Sequence, residues 1–341
     1  MRISLLVICA ISSTVSAQRA EFLRLIDRPK TPLAAETGPA THDEAIEKQS
    51  FSFASEEEVR VPGIAWKSRG SRGPLPVVFV LHGTGATKES HLPLMAELAA
   101  RGFLAVAIDG RYHGQRTPAG KGSADYVAAM AERYRTGSGP LPFLYDTVWD
   151  TMRLIDYLET RPDVDARRIG AIGFSKGGME LYLAAAADPR IRVAVPCIGV
   201  QSFRWALDHD SWQSRVGTFR LAVDEAARQQ GSPKVDAAVV RKFYDRVAPG
   251  IYSDFDGPKM VPLIAPRPLL IINGDSDART PRDGLMECVA AAKAAYAQAG
   301  AGEAFEFLLQ SGTGHRVNPD ALSAAVRWLE RWLVSNLARN P

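Results

Sequence analysis

The chain has 341 residues, of which 46% are hydrophobic and 23% charged, and its net charge is +3 at pH 7. This mix belongs to an ordinary globular protein with enough apolar residues for a large core, and it excludes a disordered chain, a collagen and a polytopic membrane protein. The small charge and the scatter of arginines leave no electrostatic footprint for nucleic acid.

The first elements read as a targeting segment. Arg2 is followed by an apolar run from Ile3 to Ile11 and by the small-x-small pattern Val15-Ser16-Ala17. This predicts a secretory signal peptide over residues 1–17, cleaved after Ala17, because the run is far shorter than the ~20 residues that cross a bilayer. The expected location is secreted or periplasmic, with no membrane span after signal removal. Cys9 leaves with the signal. Cys197 and Cys288 remain; they are read as free thiols, with a bridge between them as the lesser alternative outside the cytoplasm, and neither has a cysteine or histidine at metal-ligand spacing.

Residues 18–47 read as a short helix and then an irregular lead-in with Pro29, Pro32, Gly38 and Pro39. The main domain is expected over 48–341. Its first part alternates with period two through Phe51, Phe53, Val59, Val61, Ile64 and Trp66, which predicts two antiparallel strands. Val77–Leu81 and Phe103–Ile108 are continuous apolar runs, as in strands buried on both faces, with a helix over 91–101 between them that Gly102 terminates. Helical spacing of Val148, Met152, Ile155 and Leu158 comes next. Strands are then expected at 169–173, 191–200, 269–272 and 305–309, and helices at 177–187, 282–299 and 319–337. The alternation predicts an α/β fold, a mostly parallel sheet with helices on both faces. Two stretches interrupt it. Residues 114–142 carry Gly and Pro clusters, and residues 201–263 form a cap-like helical insertion with Trp205, Trp212, Phe243 and Tyr244. Long insertions at the carboxyl ends of strands line or cover a site; for any one aromatic, core packing is an equal reading.

The strongest chemical signal is Gly173-Phe174-Ser175-Lys176-Gly177-Gly178, between a strand and a helix. A nucleophile elbow needs this context: small flanking residues let the backbone turn tightly, and the helix N-terminus offers free N–H groups to a developing oxyanion. A serine hydroxyl needs a base, and the base an orienting acid. Downstream of Ser175 only His209 and His315 remain. His315 follows Gly312-Thr313-Gly314 between the last strand and the last helix, where a base must lie. His209, within Asp208-His209-Asp210, reads as a surface residue, because three adjacent helical residues cannot converge on one ion. Asp275 and Asp277, just after the strand 269–272, are the two candidate acids.

Together with Leu81-His82-Gly83-Thr84-Gly85 and Asp109-Gly110-Arg111-Tyr112-His113-Gly114, these motifs resemble the α/β-hydrolase superfamily, within it the dienelactone hydrolase, acetyl xylan esterase and prolyl oligopeptidase-like branches. The motifs span roughly residues 50–337. The resemblance implies Asp277 as the acid, at the end of a Gly-x-x-Asp turn, with Asp275 as the alternative or as a brace of the turn. It also implies an oxyanion hole from the backbone N–H groups of Lys176 and Thr84, with Gly85 as a substitute for Thr84. The Lys176 side chain departs from the neutral residue of many relatives; it is expected in solvent, with the pocket mouth as the other placement. His82, Gly85, Arg111, Tyr112, Trp205 and Trp212 are possible pocket residues. Asp109 and His113 share the strand ends, and bracing of loops is as good a role for the polar ones.

Other motifs fail. The Gly83-Thr84-Gly85 turn has Lys88 where a dinucleotide fingerprint needs a third glycine. The elbow lacks the P-loop order, and no His-Glu-x-x-His is present. The reading is therefore a serine hydrolase of carboxylic esters, with a small-molecule ester as substrate, no metal and no organic cofactor. A prolyl oligopeptidase-like peptidase is the alternative enzyme, although too few residues precede Val77 for a propeller. A binding protein on the same fold is the non-catalytic alternative.

Overall fold

The structure is a computed structural model that describes residues 17–335 apart from 119 and 121. The predicted signal segment up to residue 16, and the predicted end of the last helix at 337, lie outside the described residues. Helix α1 covers residues 17–26. It is followed by β1 (Glu36–Thr37), β2 (Thr41–His42), β3 (Ile46–Glu56), β4 (Val59–Ser68), β5 (Leu75–Leu81), α2 (Leu92–Ala100), β6 (Leu104–Ile108), α3 (Ala124–Thr136) and α4 (Tyr145–Glu159). Then come β7 (Val164–Phe174), α5 (Lys176–Ala187), β8 (Val193–Cys197), α6 (Phe203–Asp208), α7 (Gln213–Val216), α8 (Arg220–Gln229), α9 (Ala237–Val247), α10 (Gly257–Met260), β9 (Leu269–Gly274), α11 (Arg282–Gln298), β10 (Phe305–Gln310) and α12 (Pro319–Glu330).

The strands form one sheet in the order β1-β3-β4-β6-β5-β7-β8-β9-β10, with β2 paired to β3. From β6 to β10 every pairing is parallel, and the pairings among β1, β3, β4 and β6 are antiparallel. This is the α/β-hydrolase arrangement. The alternation within β5 shows why it lies at the centre. Val77, Phe79 and Leu81 face the core under α4, α5 and α11, whereas Val78 and Val80 face the one under α2 and α12. A strand buried on both faces has no polar side, and that is how its sequence reads.

The lead-in is more regular than expected. β1 and β2 are two-residue strands that hydrogen-bond to β3 at Phe51–Ser52 and Glu47–Lys48. Paired segments this short carry no periodic signal. Residues 17–26 are pinned to the core, with Phe22 and Ile26 fully buried and Phe22 packed edge-on against Tyr145. Arg19 donates to the carbonyls of Ala186 and Leu263.

The stretch 114–142 holds a helix that its Gly and Pro clusters concealed. Tyr126, Met130 and Tyr134 form the buried stripe of α3. That stripe packs on α8 and α9, so the two insertions support one another. Tyr134 stacks on Phe243 at 5.7 Å, and Arg246 donates to the carbonyl of Tyr134 at 2.8 Å. Phe143 meets Phe203, Phe219 and Tyr244. Phe243 and Tyr244 are therefore core of the insertion rather than pocket lining, each stabilising it by about 1.5–3 kcal/mol through burial.

A buried ion-pair network ties the lead-in to the loop after β6. Asp150 on α4 is fully enclosed and takes Arg111 in a fork at 2.9 Å, and Arg116 at 2.6 Å. Arg111 also reaches Glu56, and Arg28 pairs with Glu56 and Asp146. Burial alone would raise the Asp150 carboxyl, but the charges of Arg111 and Arg116 hold it well below the usual carboxylate range. A carboxyl depressed on folding contributes stability above its unfolded value near 3.8 that is lost as the pH falls through the folded value. Asp150→Asn is expected to cost about 3–5 kcal/mol at pH 7, because it leaves buried guanidinium groups short of a partner. The gap to the wild type in denaturant melts should narrow as the pH is lowered below about 4. A gap independent of pH would contradict this account.

Candidate active site

Ser175 sits where β7 ends and α5 begins, with φ 54° and ψ −112°, a backbone conformation that side chains rarely adopt. Its N–H is held by the carbonyl of Cys197 on β8 at 2.9 Å. The glycines around it are needed for space. A Cβ on Gly173 would lie 2.2 Å from the carbonyl oxygen of Gly177, and one on Gly177 would lie 2.3 Å from that of Leu81. The small residues of the motif thus let β5, β7 and α5 close on one another and push the serine out at the carboxyl edge of the sheet.

The structure brings Ser175, His315 and Asp277 together. His315 Nε2 lies 2.8 Å from Ser175 Oγ, and its Nδ1 lies 2.8 and 3.0 Å from the two carboxylate oxygens of Asp277. Asp277 follows β9 and accepts the N–H of Arg279 at 2.9 Å. Burial works against its charge, but the hydrogen bond and charge of His315 prevail and hold the carboxyl below its ordinary value. Asp275 does not touch His315. It accepts the N–H groups of Gly312 and Thr313, at 3.0 and 3.2 Å, and so fixes the loop that carries the histidine. Asn318 locks the far side of that loop through Thr313 Oγ1 and Gln310 Oε1. This arrangement can pass a proton between a hydroxyl and an imidazole whose other nitrogen is fixed by a carboxylate.

The loop after β5 approaches the elbow: a Cβ on Gly83 would lie 3.6 Å from Ser175 Cβ. Among the described residues, neither the Thr84 nor the Lys176 N–H is spent on a loop or turn carbonyl. His82 braces this loop. Its Nε2 accepts the N–H of Gly110 at 3.0 Å and its Nδ1 donates to the carbonyl of Gly83 at 2.8 Å. Both bonds require the neutral ring, and burial, helped by the charge of Lys176, pushes its pKa well below the ordinary histidine value. His113 is likewise buried, donates to the carbonyl of Arg111, and is pushed down to about 3 by burial and then by Lys176. Asp109 is a brace too, taking the N–H and Nζ of Lys88 at 2.8 Å and the N–H of Gln115.

The expectation for the Lys176 side chain is corrected. It is 1% exposed and runs inward, not into solvent, with Nζ 2.6 Å from Glu180 and 5.7 Å from the ring centre of Tyr126. The signal was in the sequence: Glu180 stands one turn later on a helix otherwise apolar all round, so two buried charges had to meet.

The remaining pocket candidates divide. Gly85 lies against Gly122 beside the Thr84 loop. Arg111 and Tyr112 instead line a cleft of about 600 Å³ with Arg60, Gln115 and Arg116, which does not include Ser175. Trp205 stacks on exposed His209 at 4.4 Å and packs over Gly284 of α11, and Trp212 donates to Asp210. Cys197 and Cys288 are buried free thiols. Among the described residues no helix is long and apolar enough to cross a membrane, and no three His, Cys, Asp or Glu side chains are grouped to hold a metal ion. Sequence reasoning passed over Arg215 and Gln201, both buried near the acid turn and the loop after β8.

A strained serine between strand and helix, on this sheet order, is the arrangement of an α/β hydrolase. Comparison with known proteins narrows the class. A family model described as acetyl xylan esterase (AXE1) matches residues 34–207, half of the chain, and one described as glucuronyl esterase, fungi, matches 141–300. The chain belongs to the acetyl xylan esterase (AXE1) family of the α/β-hydrolase superfamily and is a carboxylic ester hydrolase. YtaP of Bacillus subtilis (strain 168), named as a candidate hydrolase, is 26% identical over 331 residues, covering 93% of this chain and 99% of that protein. Among solved structures, an acetyl xylan esterase from Paenibacillus sp. R4 superposes with a TM-score of 0.62 at 20% identity, over 94% of this chain and 93% of that one. A glucuronoyl esterase from Solibacter usitatus does so with 0.62 at 16%, over 92% and 91%.

Replacing Lys176 with Met leaves Glu180 enclosed without its cation and is expected to cost about 3–5 kcal/mol in denaturant melts. The double change Lys176→Met with Glu180→Leu should recover most of that loss. Equal stability of the single variant and the wild type would show that the pair is not closed in solution.

Proposed function

We propose that Ser175 is the nucleophile, His315 the general base and acid, and Asp277 the residue that orients the imidazole, in an esterase that works through an acyl-enzyme. One observation carries this reading: His315 bridges Ser175 Oγ and the Asp277 carboxylate with 2.8 Å contacts on both sides. As Oγ attacks the ester carbonyl, Nε2 takes its proton. The tetrahedral oxyanion is received by the backbone N–H groups of Lys176 and Thr84, which stand fixed before reaction and cost no reorganisation. Nε2 then gives the proton to the leaving alkoxide. Water, activated by the same nitrogen, attacks the acyl-enzyme and returns Ser175 to its starting state. The names of the relatives favour a short acyl group or a sugar acid as the carboxylic part, and a small ester as the substrate.

The protein is expected to turn over 4-nitrophenyl acetate, and Ser175→Ala to lose about 10⁴-fold or more in kcat. Asp277→Asn should lose about 10³–10⁴-fold through the wrong imidazole tautomer. Asp275→Asn should stay within about tenfold and lower the melting temperature, because it loosens a loop and removes no reacting group. Undiminished turnover in Ser175→Ala would sink the assignment, and the reverse ranking of the two aspartates would transfer the orienting role to Asp275.

We also propose that residues 1–17 are removed on export. The described chain supports a mature start there: Gln18 and Arg19 dock on Asp254, Ala186 and Leu263, so a chain that starts at Gln18 keeps these contacts. Protein recovered from an exporting host should have the intact mass of a chain starting at Gln18. A mass that includes Met1 to Ala17 would contradict it.

A further inference from the structure

Among the described residues three arginines are almost wholly buried, at 3–6% exposure: Arg111, Arg153 and Arg215. Arg111 forks onto Asp150, and Arg153 pairs with Asp156. Arg215, on α7 of the insertion, forms no ion pair among the described residues. Its Nε and Nη2 donate to Gln201 Oε1 at 3.1 and 2.7 Å, and Nη2 also to Thr280 Oγ1 at 3.2 Å. Its Nη1 donates to no described residue and is not among the fully enclosed atoms without a partner, so it keeps a little accessible surface. Gln201 Nε2, on the amide that Arg215 grips, is enclosed and has no partner either. A guanidinium and an amide donor thus stand side by side with no anion to accept from them. Burying a cation in this way is costly unless something completes it.

The place of this pair gives it meaning. Gln201 ends the loop after β8, in which Gly199 runs against the backbone oxygen of Ser175. Thr280 closes the turn begun by Asp277, donating its N–H to the Asp277 carbonyl at 3.1 Å. Asp256 pins the same loop by accepting from Ser202 Oγ and from the N–H groups of Phe203 and Gly257. Arg215 is therefore held on fixed backbone, between the two loops that flank the nucleophile and the acid. Asp277 is the anion whose field reaches it most strongly, but that carboxylate is already spent on His315.

We propose that Arg215, held in place by Gln201, receives a free carboxylate carried by the substrate, so that the preferred ester is one whose acyl or alcohol part bears a second, unesterified carboxylate. This rests on Ser175 being the nucleophile. A guanidinium offers a carboxylate charge-assisted hydrogen bonds, and in a water-poor site these discriminate strongly against a neutral isostere.

Two matched pairs test the two sources of the charge. Mono-(4-nitrophenyl) glutarate against 4-nitrophenyl pentanoate varies the acyl part, and 4-acetoxybenzoate against 4-acetoxybenzamide varies the alcohol part. The wild type is expected to prefer the anionic member of one pair by about tenfold or more in kcat/KM, worth 1.4 kcal/mol. Arg215→Gln should collapse that ratio, and Arg215→Lys should keep part of it. A purely structural role would lower both members together and leave the ratio standing. A wild-type ratio at or below one in both pairs overturns the proposal whether or not the variants fold, and so does a ratio that survives Arg215→Gln. A thermal shift of Ser175→Ala protein by glutarate, and not by glutaramide, reads the anion site without turnover. That shift, together with a wild type that hydrolyses none of these esters, would sink the reading of Ser175 as nucleophile and keep the anion site.

Discussion

The backbone of Ser175 is the constraint on which the rest of the site depends. Holding a serine at φ 54° and ψ −112° costs on the order of 1–3 kcal/mol. Three neighbours over-determine it. Cys197 takes its N–H, Gly177 presses α5 onto the end of β5, and Gly199 brings the loop after β8 against its carbonyl. These contacts come from β5, β8 and α5 around β7, so the most central part of the sheet is also the part that sets the direction of one hydroxyl. His315 and Asp277 arrive on loops, but each loop is tied to the sheet: Asp275 accepts two N–H groups of the histidine loop, and Asn318 closes it from the helix side.

Around this point lies a layer of enclosed charges. Lys176 with Glu180, Lys88 with Asp109, and Asp150 with Arg111 and Arg116 sit at or behind the carboxyl ends of β5 and β6. Their net worth to stability is small, because desolvation offsets attraction. What they supply is geometry and field. The cation of Lys176 adds to burial in keeping His82 and His113 neutral, and a neutral His82 is what can accept from Gly110 while donating to Gly83. The loop expected to receive the oxyanion is therefore braced by a ring that does not titrate near neutrality.

Much of this was legible from residues in order. The sheet followed from apolar runs such as Val77–Leu81, and the elbow from glycines spaced around Ser175, because both are local patterns with a local steric cause. The pairing of His315 with Asp277 rested on chain order and on the resemblance, since nothing local links residues 38 apart. What escaped was non-local. The inward course of Lys176 depends on Glu180 and on a helix enclosed on every side. The helix α3 lay among Gly and Pro clusters, although Tyr126, Met130 and Tyr134 mark its face. Arg215 carries no local signal, because the residues that hold it, Gln201 and Thr280, lie 14 and 65 residues away.

The two insertions meet along a seam, α3 from one and α8 and α9 from the other, joined by Tyr134 on Phe243 and by the grip of Arg246 on the carbonyl of Tyr134. A seam of this kind makes the two pieces a matched set. In recombination between relatives, a crossover that imports one piece without the other breaks the aromatic contact across the seam, whereas exchange of the two together keeps it. The two insertions are thus tied to vary together, and the unit that can be exchanged is the seam rather than the single loop.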